Sequence, residues 1–201
     1  MKAYKDYIVS PIGDRYNNSK KVGNKELILN TEIFNHQYCN RNAKIIAIPL
    51  LFQSPIQIGD EVIIHHNVFR RWLNIKGEER NSRSYWKDNK YIISEDQIFL
   101  YRSGKNNWQA MPGFSFVKPL VSTNDLKNEN EKPLMGVIKH TDGFFKKEEL
   151  VGFTPNSEYE FIIDGQRLYR VMNKFITIKY EYQGNEKEYN PSWTQSCRRT
   201  N

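Results

Sequence analysis

The apolar residues of this chain fall in short runs with a period near two, and the order of the runs is repeated. An apolar strand leads into a polar stretch and then a short buried strand. A turn and another apolar strand follow, and the pattern closes where an acidic turn gives way to aliphatic residues. The first pass ends at residues 91–101 and the second at residues 168–178. Alternation at period two puts successive side chains on opposite faces of a strand. No segment carries the i, i+3, i+4 spacing of an amphipathic helix. The pattern predicts an all-β chain of two small barrel-like units in tandem. The boundaries fall at residues 1–105, 106–182 and a polar tail, 183–201.

Hydrophobic residues make up 38% of the 201, and aromatics 13%. Small cores with large rings fit these values, because each ring buries a large area. Net charge is +7, and residues 1–105 hold 17 Lys+Arg against 11 Asp+Glu. That bias attracts acidic partners without specifying one. Cys39 and Cys197 lie far apart and show no metal-ligand spacing, so reduced thiols are expected. No apolar run is long enough to span a membrane, and the N-terminus lacks the apolar core of a secretion signal.

Within the first unit, Tyr7-Ile8-Val9 opens a strand and residues 13–42 read as a long polar loop, expected to be mobile. That loop holds one aliphatic island, Leu27-Ile28-Leu29. Gly59-Asp60 marks a turn before Val62-Ile63-Ile64. Residues 69–89 form a basic, aromatic excursion with Arg70, Arg71, Trp72, Arg80, Arg83, Tyr85, Trp86 and Lys87. In the second unit, Asp164-Gly165 between two apolar runs is a hairpin signal.

These segments resemble, in order, the co-chaperonin (GroES) family, the lids of chaperonin cages. Tyr7-Ile8-Val9 stands where the family has its first strand. Leu27-Ile28-Leu29 is similar to the aliphatic tripeptide of its mobile loop. Ala43-Lys44-Ile45-Ile46-Ala47-Ile48, Ile58-Gly59-Asp60-Glu61-Val62-Ile63 and Ile93-Ser94-Glu95-Asp96-Gln97-Ile98 resemble the later strands and the closing signature. The whole chain looks like the divergent, tandem co-chaperonin-like proteins of bacterial viruses. The resemblance implies a non-catalytic lid without a cofactor, acting in the host bacterial cytoplasm. Leu27, Ile28 and Leu29 would bind a bacterial chaperonin, with ATP dependence supplied by the chaperonin. It also implies a homo-oligomeric ring, heptameric if each chain supplies one lid subunit, that assists folding of viral proteins. The sequence departs from the family in four places. Lys25-Glu26 replace the usual glycines, residues 49–55 are too short for the roof hairpin, the residue 69–89 excursion is longer than the family's, and the second unit has no aliphatic island.

Two other functions compete with the lid. A phage structural or assembly protein would reuse the fold with the loop making subunit contacts. A nucleic-acid-binding barrel would use Arg70, Arg71, Trp72 and Trp86, since cations beside stacking rings suit single strands. His65-His66, if in a strand, point to opposite faces and cannot share a metal. Asp60-Glu61, Glu95-Asp96 and Glu148-Glu149 read as solvated turn residues, and no nucleophile motif is present.

Overall fold

The computed structural model describes residues 2–16, 19–23, 25–28, 38–122 and 131–197. The chain divides into two compact units, Met1–Trp108 and Gln109–Asn201. Among the described residues both are built from strands joined by turns and short 3-10 segments. No helix among them is long and apolar enough to cross a membrane.

The first unit contains β1 (Tyr7–Pro11), β2 (Ser19–Val22), β3 (Lys25–Ile28), β4 (Asn42–Ala47) and β5 (Glu61–Ile64). It continues through β6 (Arg71–Leu73), β7 (Glu79–Asn81), β8 (Tyr85–Lys87), β9 (Lys90–Ile93) and β10 (Ile98–Arg102). Its main sheet runs β10-β5-β4-β1-β9-β8, while β2–β3 and β6–β7 are separate hairpins. Alternation sets the buried face: Ala43, Ile45 and Ala47 of β4 point inward and Lys44 outward, and Tyr91 and Ile93 of β9 flank exposed Ile92. The expected Gly59-Asp60 turn precedes β5. Gly59 takes φ 95°, and buried Asp60 accepts hydrogen bonds from the Gln57 amide at 2.8 Å and the Ser103 hydroxyl at 2.7 Å.

The second unit contains β11 (Gln109–Ala110), β12 (Phe114–Val121), β13 (Glu131–Thr141) and β14 (Leu150–Phe153). β15 (Tyr159–Ile163), β16 (Gln166–Met172) and β17 (Ile176–Tyr180) complete it. Its six-stranded sheet runs β17-β14-β13-β12-β16-β15. Position for position this is the order of the six first-unit strands given above. In each unit the opening strand is central, the strand after the long connection lies on one side, and the penultimate strand on the other. Val117, Ile138, Val151, Phe153, Val171 and Ile176 form its core. Ile163 pairs with Gln166 across Asp164-Gly165, at φ 49° and 75°, so the hairpin read from this dipeptide is a two-residue turn of the left-handed kind.

The sheets differ from the expected barrels. Each strand order ends at two edges, and the outer strands do not pair with each other. Period-two alternation arises equally on an open sheet with one covered face, so the pattern alone does not distinguish the two. Part of the C-terminal tail is paired. Val121 N donates to Lys187 O at 2.7 Å and Tyr189 N to Pro119 O at 2.8 Å, where β16 no longer covers β12. Pro191 and Thr194 are buried, while Trp193 is half exposed.

Candidate docking hairpin and the aromatic excursion

The connection between β1 and β4 is closed at its neck. Ile12 N donates to Asn42 O at 3.0 Å and Asn40 N to Arg15 O at 2.8 Å, and Tyr16 bridges Cys39. Asn40 is almost fully buried. Its amide donates to Ile12 O at 2.9 Å and Asp14 O at 2.7 Å, and its carbonyl oxygen accepts from Asn42 N at 2.9 Å. One side chain thereby satisfies backbone groups on both legs, which a loop crossing a core edge requires. The Cys39 thiol donates to His66 O at 3.1 Å, and burial pushes its pKa up to about 11, so it is a poor nucleophile.

Beyond the neck, β2 and β3 pair antiparallel from Ser19↔Ile28 to Val22↔Lys25, with Gly23 at φ 62° opening the turn. Ser19–Val22 was expected as loop from its polar composition. A polar strand arises here because its hydrogen-bonding partner, β3, is supplied two residues away. Leu27 lies on β3 and is 54% exposed. Ile28 ends the same strand, and Leu29 lies outside the described residues. Leu27 and Ile28 are thus adjacent on one hairpin strand.

The basic aromatic excursion buttresses the same neck. Arg15 donates to Phe69 O at 2.9 Å and to Asn81 Oδ1 at 2.7 Å. Arg71 N donates to the Tyr16 hydroxyl at 2.7 Å, and the Arg71 guanidinium lies 4.7 Å from the Tyr16 ring centroid. Phe69 packs edge-on against Tyr91, which also meets Tyr85. The rings therefore cap the first core. Asp88-Asn89, both at positive φ, make the tight turn from β8 to β9. Such residues tolerate this conformation, so the turn was readable in principle.

The four proposed nucleic-acid residues do not converge as one cationic platform. Arg71 pairs with Glu79 at 2.8 Å, and neighbouring Arg80 pairs with Glu78 at 2.6 Å. Arg70 is half-buried, with Nε sealed from solvent. Trp72 and Trp86 are partly exposed on β6 and β8. Trp72 Nε1 donates to Asn81 O at 3.1 Å, and the Lys87 ammonium sits over Trp86. Exposed Leu73 and Ile75 extend the Trp72 side into an apolar hairpin tip.

The histidine pair differs from its expected geometry. β5 ends at Ile64, so His65 and His66 leave the strand, and their rings stack at 4.3 Å. His65 Nδ1 accepts from Asn67 N at 3.1 Å and caps the following 3-10 turn. The Ser94–Gln97 capping box that starts the acidic turn before β10 has the same local logic, with side chains satisfying turn amides. No three His, Cys, Asp or Glu residues among those described gather as metal ligands. No protein-family model matches the chain, and no curated protein matches it at a significant level.

Proposed function

We propose that this chain is a non-catalytic, co-chaperonin-like protein of the bacterial-virus type that docks on a bacterial chaperonin through Leu27, Ile28 and Leu29. The observation that carries this reading is a closed-neck excursion between β1 and β4 that ends in a hairpin bearing an exposed leucine. An apolar groove on a partner would give Leu27 the cover it lacks in the monomer. Each aliphatic side chain fully buried on docking contributes ~1.5–3 kcal/mol, offset by the entropy of association. One arm binds weakly, and a ring of identical chains adds arms that bind by avidity. The two units with one strand order suit a tandem lid in which only the first unit carries a docking strand. Such a lid acts in the host cytoplasm and assists folding of viral proteins.

The test is co-elution of the purified chain with a bacterial chaperonin, with and without ATP, beside a Leu27→Ser/Ile28→Ser/Leu29→Ser variant. Nucleotide-dependent co-elution that the variant loses is expected. A folded wild-type chain that fails to co-elute in either state would refute the reading.

A second reading, a virion structural or assembly protein, draws on a different observation. Tyr4, Leu50 and Leu51 are exposed, and the amides of Leu50 and Leu51 both donate to Tyr4 O at 3.0 Å. This apolar group, with the tip at Trp72, Leu73 and Ile75, offers subunit contacts independent of the β2–β3 hairpin. Nucleic-acid binding ranks behind both, because the ion pairs of Arg71 and Arg80 leave less charge for phosphates.

A further inference from the structure

The register of β12 against β13 shifts twice, by one residue between Phe116 and Val117 and more widely between Pro119 and Val121. Pro119 faces Gly136 and Val121 faces Glu131, so Lys132, Pro133, Leu134 and Met135 stand against the single Leu120. Leu134 takes φ 56°, a left-handed conformation unfavourable to a bulky side chain. Bulges and strained residues of this kind gather at binding sites. Behind the bulge lies a cavity of about 390 Å³, within the second unit, whose lining includes Leu134, Met135, Phe153, Glu158 and Tyr169. That volume falls in the range of small-molecule sites.

Most polar groups around the cavity are already committed. The Tyr169 hydroxyl donates to Glu131 Oε1 at 2.6 Å, and Arg167 reaches Glu131 at 3.1 Å and Glu160 at 2.9 Å. Glu158 differs: its Oε2 is buried and has no hydrogen-bond partner among the described residues. A carboxylate oxygen removed from water without a donor is costly, and a bound donor relieves the cost. The lining carries two carboxylates, Glu131 and Glu158, and two cations, Lys132 and Arg167, and Arg167 is already shared between Glu131 and Glu160.

We propose that this cavity binds an alkyl cation, an ammonium or guanidinium carried on an apolar stem, with Glu158 as its counter-ion. The charged head reaches Glu158 Oε2, and the stem lies along Leu134, Met135 and Phe153. A free alkylamine and a basic side chain of a peptide both present this head and stem. Leu134 packs against one core cluster of the unit and Met135 against another, so filling the cavity braces the sheet at its irregular register.

The test uses the full-length, ¹⁵N-labelled chain. It is titrated with n-butylammonium chloride and with a blocked Gly-Lys-Gly peptide, each against its neutral counterpart, n-butanol and blocked Gly-norleucine-Gly. Saturable amide shifts at Leu134, Glu158 and Tyr169 are expected with a cationic probe and not with its neutral isostere. Binding of the amine assigns the site to the head and stem alone, and binding of the peptide only adds a backbone requirement. Glu158→Gln should weaken binding by about tenfold or more, since a charge-assisted hydrogen bond is lost. Absence of saturable shifts, equal shifts from neutral probes, or unchanged affinity in a folded Glu158→Gln chain would overturn the proposal. The wild-type comparison decides alone if that variant does not fold.

Discussion

Arg71 carries a charge that is neutralised within its own hairpin, by Glu79 at 2.8 Å, while its guanidinium covers Tyr16. Its role is to hold the excursion to the neck, a role invisible in sequence because Tyr16 and Arg71 are brought together only by tertiary pairing. Gly136 is equally specific. A Cβ there would lie 2.3 Å from Lys118 O and 2.6 Å from Val117 Cγ1, so the β12–β13 backbones approach too closely for a side chain. Gly136→Ala should destabilise the second unit by about 1–3 kcal/mol, read from urea unfolding. Asp142 gives a pH signature. Burial alone raises its pKa, but hydrogen bonds from Phe144 N, Gly113 N, Asn173 and Thr141 outweigh this and hold it below its ordinary 3.8. The folded-state value is depressed, so its contribution is present above the unfolded value and is lost as pH falls through the folded one. Unfolding curves from about pH 5 to pH 2 should therefore show an acid loss of stability that Asp142→Asn reduces.

At the scale of elements, the hairpins were legible where their turns carry a chemical signature. Asp164-Gly165 needs positive φ at both positions and takes it, and Gly59-Asp60 turns the chain into β5 as read. The β2 strand was not legible, because a polar strand has no apolar alternation to report it and its order comes from pairing with β3. The neck residues were missed for a similar reason. Asn40 sits in a polar stretch, and nothing in Cys39-Asn40-Arg41-Asn42 shows that its amide bonds three backbone groups across the excursion. Asn40→Ala leaves those buried groups unpaired. It should cost about 2–3 kcal/mol in the first unit, with faster hydrogen exchange at Ile12 and Asn42. Unchanged stability would show that the neck is held elsewhere.

At the scale of the molecule, the repeated order of apolar runs was the strongest sequence signal for an all-β chain, and six strands of each unit follow one order. Closure was not legible, because burial on one face produces the same alternation in an open sheet and in a barrel. Of the candidate docking tripeptide, Leu27 and Ile28 lie on β3, with Leu27 54% exposed. Of the candidate nucleic-acid group, Arg71 is bound into structure and Trp72 and Trp86 lie on separate strands. The proposed docking role places the chaperonin contact on β2–β3. Its most direct test is photo-crosslinking of the intact chain, mixed with chaperonin and ATP, with Leu27→p-benzoylphenylalanine compared with the same replacement at Ile75. Nucleotide-dependent crosslinks from position 27 to the chaperonin, and none from position 75, are the expected result. Crosslinks from position 27 only to another copy of the chain, or from position 75 instead, would contradict the docking role.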